Sequence, residues 1–88
     1  MIKFDLSNRV AVITGGAQGF GFAIAERFIQ SGAKVIIWDI DEQEAKKAVE
    51  KINSENISYK IVNVCNFEEI SKSLKDIETE HNKIDIFV

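Results

Sequence analysis

The sequence predicts an α/β fold: a parallel sheet with helices on both faces, built as βαβαβαβ with strand order 3-2-1-4. Three observations predict it. Short apolar runs alternate with amphipathic stretches along the chain, the pattern of strands joined by crossover helices. A glycine-rich run, Thr14-Gly15-Gly16-Ala17-Gln18-Gly19-Phe20-Gly21, separates the first apolar run from the first amphipathic stretch. Asp39 ends the second apolar run, 18 positions after Gly21.

Each element has its own signals. Residues 9–14 read as a buried strand, because Val10, Ala11, Val12 and Ile13 are consecutive and glycines follow. Residues 20–31 read as a helix: Ile24 with Phe28 and Ala25 with Ile29 are i, i+4 pairs, and Glu26, Arg27 and Gln30 lie on the other side. Gly32 stands where a C-terminal cap is expected. Residues 34–39 form a second buried strand around Val35, Ile36 and Ile37. Asp41 and Glu44 have capping-box spacing, and Ala45, Ala48, Val49 and Ile52 share one face of the helix behind them. Residues 58–64 alternate more, with Tyr59 and Ile61 around Lys60, which suits an edge strand. Asn66 and Glu69 repeat the capping spacing before a stripe of Phe67, Ile70, Leu74 and Ile77. Residues 84–88 begin a fourth strand.

Right-handed crossovers place the strands in the order 3-2-1-4, a partial Rossmann-type sheet whose switch point lies between strands one and four. The glycine turn leaves strand one at that point, where open α/β sheets bind ligands. Glycine permits positive φ and close backbone approach. Free N–H groups and the dipole at the helix start then attract an anion. The spacing Gly15, Gly19, Gly21 is GxxxGxG; a P-loop needs GxxxxGK followed by Ser or Thr, and no Lys follows either glycine. Phosphoryl transfer from a nucleoside triphosphate is therefore disfavoured.

At 88 residues, 45% hydrophobic and 28% charged, the chain is one small domain or part of a larger one. A net charge of -3 gives no basic footprint for nucleic acid. No apolar run nears the length of about 18 that spans a bilayer, and Met1-Ile2-Lys3-Phe4 carries no secretory signal, so a cytoplasmic location without membrane attachment is expected. The single Cys excludes an internal disulfide and, with His81 the sole His, argues against a zinc site. Trp38 is expected in the core, and Cys65 as a small structural residue. His81 suits the negative end of a helix rather than a catalytic role.

With these residues in place, the chain resembles the N-terminal part of the short-chain dehydrogenase/reductase family, which includes 3-oxoacyl-acyl-carrier-protein reductases. The family pattern Thr-Gly-x-x-x-Gly-x-Gly is matched by Thr14, Gly15, Gly19 and Gly21, with Phe20 where Ile is usual. The resemblance covers nearly the whole chain. It implies a nicotinamide dinucleotide as cofactor, with Gly15, Gln18, Gly19, Phe20 and Gly21 around the pyrophosphate. Asp39 and Ile40 would meet the adenosine ribose, and Asn63 and Val64 the adenine. Similar proteins carry Asp where this chain has Asn63, so that contact loses its charge. A carboxylate at Asp39 accepts from both ribose hydroxyls and repels a 2′-phosphate, so NAD is expected over NADP. Relatives that prefer NADP place a basic residue near this carboxylate or in the turn, positions filled here by Ile40 and Gly16.

The resemblance further implies that residues 1–88 are the N-terminal part of a single NAD-binding domain, truncated at strand four. The family's Asn-Asn-Ala-Gly segment, catalytic Ser and Tyr-x-x-x-Lys pair would lie beyond Val88. Tyr59 does not substitute, since Asn63 and not Lys stands four places on. No catalytic residue and no metal ligand is thus expected within the chain, and the 88 residues alone are expected to be inactive. The intact parent would be a homo-oligomer that moves a hydride between NAD(H) and a small alcohol or ketone. Two other readings remain open: a stand-alone nucleotide-binding or interaction module, and a methyltransferase-like domain, which fits the glycine spacing less well.

Overall fold

A computed structural model describes residues 5–88; the reading of residues 1–4 lies outside them. Strands β1 (Val10–Thr14), β2 (Lys34–Asp39), β3 (Ile57–Ile61) and β4 (Ile86–Phe87) alternate with helices α1 (Gly19–Gln30), α2 (Glu42–Ile52) and α3 (Phe67–His81). The sheet is parallel throughout, in the order β3-β2-β1-β4, as the alternation predicts.

Side chains of a strand point to alternate faces, and the two faces of this sheet build two cores. Ala11, Ile13, Val35, Ile37 and Ile57 pack under Ala25 of α1 and Ala45 and Ala48 of α2. Val10, Val12, Ile36 and Trp38 pack with Val62 under Ile70, Leu74 and Ile77 of α3. The central strands are buried on both faces, which explains their unbroken apolar runs. Trp38 is fully buried, as expected, and makes a T-shaped contact with Phe87, ring centroids 5.3 Å apart.

The helix ends follow the local chemistry. Ser31 ends α1, after which the Gly32 N–H donates to the Ile29 carbonyl and the Ala33 N–H to that of Phe28, a Schellman motif. Asn53 and Asn82 close α2 and α3 in the left-handed region, where Asn is better tolerated than most residues. No helix among the described residues is long and apolar enough to cross a membrane.

Four expectations need correction. Strand β3 ends at Ile61 rather than residue 64, because Asn63 bends the chain: its Oδ1 accepts from the Cys65 N–H and its carbonyl from the Asn66 N–H. Cys65 in that turn is exposed, not a buried structural residue. Phe67 is 79% exposed, since it is the first residue of α3 and packing begins one turn later at Ile70. The fourth strand is also short, although the Asp85 and Val88 N–H groups donate to Val10 and Val12 on either side of it.

At the opposite rim from the glycine turn, Asp85 clamps β4 to β1. Its Oδ2 accepts the Val10 N–H at 2.9 Å, and Lys83 Nζ and Arg9 approach at 3.1 and 3.4 Å. The Val10 N–H foremost, helped by the Lys83 and Arg9 charges, holds its pKa below the usual 3.8 against an opposing effect of burial. A depressed folded pKa gives stability that is present above the unfolded pKa and lost as pH falls through the folded value. Asp85→Asn is therefore expected to lower the urea midpoint at neutral pH. In acid below the folded pKa the variant and the unaltered chain should converge. A difference that persists undiminished in acid would count against the clamp.

Candidate functional site

The predicted site residues come together along the C-terminal rim of β1, β2 and β3. The turn between β1 and α1 carries Gly15 at φ 63° and Gly19 at φ 58°, a conformation that side chains with a Cβ resist. A Cβ built on either meets nothing within 4 Å, so this face of the turn is open. Gly21 is different: a Cβ there would strike the Gly15 carbonyl oxygen and come within 2.9 Å of Gly16 Cα. The first turn of α1 thus lies directly against the glycine turn.

The three helix starts differ in a telling way. Asp41 caps α2 by accepting from the Glu44 N–H, and Asn66 caps α3 by accepting from those of Glu68 and Glu69. Both helices also carry two glutamates in the first turn. Helix α1 has neither: Gln18 makes no capping hydrogen bond, and no acidic residue lies in the first turn. The first helical bond is from the Phe22 N–H to the Gln18 carbonyl, which leaves the N–H groups of Gly19, Phe20 and Gly21 without a helical acceptor. Among the described residues, this is the helix start with neither a side-chain cap nor an acidic residue in its first turn to offset its partial positive charge.

Asp39, at the end of β2, faces that turn. Its Oδ2 accepts the Ala17 N–H at 3.3 Å and its Oδ1 the Asp41 N–H at 3.1 Å. The Asp41 N–H is the one a full capping box would give to Glu44. Behind it, the Gly15 N–H donates to the Trp38 carbonyl at 2.7 Å. Asn63 and Val64 follow β3 in the bend described above. The Asn63 amide oxygen, expected at the adenine, accepts from Cys65 and keeps one further lone-pair position.

Two features were not read from the sequence. The contact between Ala17 and Asp39 uses a backbone donor, which has no residue signature. The exposed large apolar residues Phe20, Ile40, Ile61, Val64, Phe67, Phe87 and Val88 all lie at strand ends or helix starts on the same rim. Exposed apolar residues scattered singly are ordinary; here they are gathered on the rim that carries the glycine turn. His81, by contrast, ends α3 at the far rim, beside Glu80.

Fold and site define an α/β protein with an open glycine turn and an uncapped helix start at the switch point of a parallel sheet. The chain belongs to the short-chain dehydrogenase family, whose pattern it matches over residues 9–88. It is 38% identical over 87 residues to 5-keto-D-gluconate 5-reductase of Escherichia coli strain K12, across 97% of this chain and 34% of that protein. It is 33% identical over 86 residues to the 3-oxoacyl-acyl-carrier-protein reductase of Chlamydia trachomatis serovar D, across 94% and 35%. Among solved structures, the 3-ketoacyl-acyl-carrier-protein reductase of Brucella melitensis complexed with NADH superposes with a TM-score of 0.87 at 29% identity, over 94% of this chain and 34% of that one. The chain spans about a third of the length of these relatives.

Proposed function

We propose that the chain forms the adenosine and pyrophosphate half of an NAD site, the N-terminal part of a single dinucleotide-binding domain. The whole protein would transfer a hydride between NAD(H) and an alcohol or ketone. The observation that carries this reading is the bare start of α1 against an open glycine turn, with the Asp39 carboxylate fastened beside it. Gly15, Gln18, Gly19, Phe20 and Gly21 surround the pyrophosphate. Asp39 and Ile40 meet the adenosine ribose, and Asn63 and Val64 the adenine. When bound, the nicotinamide supplies the hydride chemistry at its C4. The role of these 88 residues is to bind and orient the other end of the molecule.

Titration of the chain with NAD, followed by amide NMR, tests the reading. Shifts are expected at Gly15, Gly19, Phe20, Gly21 and Asp39; saturable shifts confined to the opposite rim would reject it. The chain alone is expected to turn over no alcohol or ketone with either nicotinamide form, and turnover above background would refute that.

The preference for NAD follows from Asp39. Two like charges 4 Å apart repel by about 4 kcal/mol at an effective dielectric of 20. A third of that, after screening, is about 1.4 kcal/mol, or tenfold in affinity. Asp39→Ala should therefore narrow the ratio of NAD to NADP affinity about tenfold. An unchanged ratio of dissociation constants would remove Asp39 from the discrimination.

A further inference from the structure

We infer that Asp39 is also a positioning residue, which holds the glycine turn in its anion-binding shape through the Ala17 N–H. The inference rests on the dinucleotide reading above but concerns a different contact. Both carboxylate oxygens are engaged by backbone donors, Oδ2 by Ala17 in the turn and Oδ1 by Asp41 at the start of α2. The side chain thereby ties the β1–α1 turn to the β2–α2 connection. Each oxygen keeps a further lone-pair position, so a ribose diol can bind without release of either amide.

The tether adds a polar restraint to a turn otherwise held by packing, with Ala17 in the core and Gly16 against Ile37. The turn is anchored at its first residue by the Gly15 N–H to the Trp38 carbonyl, and α1 begins only at Gly19. Between them, Ala17 is the residue whose N–H is held from outside the turn, and the Gln18 side chain makes no cap. Loss of the Ala17 contact removes the polar restraint on the segment that sets the direction of the Gly19, Phe20 and Gly21 N–H groups. Asp39 then influences the binding of a pyrophosphate that it does not touch.

The test compares the chain with its Asp39→Ala and Asp39→Asn variants, each shown to be folded by dispersed amide spectra. Both variants remove the charge, which by itself favours an anion at the turn. Only the Asn variant keeps an acceptor oxygen, and the part-buried Ala17 N–H has the stronger claim on it, because an unmet donor costs more when buried. Inorganic pyrophosphate is the probe, since it has no ribose. It should bind about fivefold more weakly to the Ala variant than to the Asn variant. In the free chains, Ala17 amide exchange should be about tenfold faster in the Ala variant than in the unaltered protein, and nearly unchanged in the Asn variant. Equal pyrophosphate affinity in the two variants, with NAD still bound by the unaltered chain, overturns the inference and leaves the dinucleotide reading intact. If the unaltered chain binds neither ligand, the dinucleotide reading fails. The Ala17 exchange rates then still decide the tether, and equal rates in the Ala variant and the unaltered chain overturn it.

Discussion

Gly21→Ala is expected to cost about 3 kcal/mol or more and to abolish measurable NAD binding, at the upper end of what overpacking usually costs. The added Cβ would strike the Gly15 carbonyl oxygen and sit 2.8 Å from its carbon and 2.9 Å from Gly16 Cα. All three are backbone atoms, so no rotamer change relieves the clash. The turn cannot yield cheaply either. Its Gly15 N–H is bonded to Trp38, and both the N–H and the hydroxyl of Thr14 donate to the Val88 carbonyl. Helix α1 must therefore back away, which uncovers Ala25 and displaces the donors at its own start. Gly15→Ala provides the control. It adds a Cβ into open space and costs only the positive φ, about 1–2 kcal/mol. Urea unfolding of both variants checks the order. A Gly21→Ala loss no larger than that of Gly15→Ala would contradict the close approach of helix and turn.

How much of this was legible in the sequence depends on the kind of signal. Strands β1 and β2 and the glycine turn were readable because burial on both faces forces an apolar run and the close approach at Gly21 forces a glycine. The caps of α2 and α3 were readable because Asp41 and Asn66 act through their own side chains on neighbours three residues away. Periodicity puts Phe67 on the apolar stripe because it locates a face of a helix and not the point at which that face meets the sheet. Val62 and Val64 continue the apolar pattern of β3 past its end at Ile61, while Asn63 turns the backbone. The tether between Ala17 and Asp39 joins residues 22 apart through a main-chain donor, so no residue type announces it. The apolar rim is likewise a product of the fold. Phe20, Ile40, Val64 and Phe67 belong to separate elements, and only the parallel topology gathers them.

Trp38→Ala is expected to cost about 3–5 kcal/mol, the range for emptying a fully buried aromatic site. Trp38 is the largest fully buried side chain described, packed with Val12, Val62 and Ile77 beneath α3 and in a T-shaped contact with Phe87. A chain of this length has about 4–13 kcal/mol of stability in all, so the variant should be largely unfolded at the lower end of that range. The consequence reaches the site, because the Trp38 carbonyl anchors Gly15 and the next residue is Asp39. Packing and chemistry can be separated with Trp38→Phe. The indole Nε1 is buried without a hydrogen-bond partner among the described residues. Such a donor costs about 1–3 kcal/mol in the native state, and its removal offsets much of the volume lost. The Phe variant should therefore lose about 1 kcal/mol, far less than the Ala variant, and bind NAD as the unaltered chain does. Helical circular dichroism in urea gives both stabilities. A Phe variant as unstable as the Ala variant would show that the indole N–H has a partner in solution. A folded Phe variant with tenfold weaker NAD binding would show that the ring does more for the site than support the end of β2.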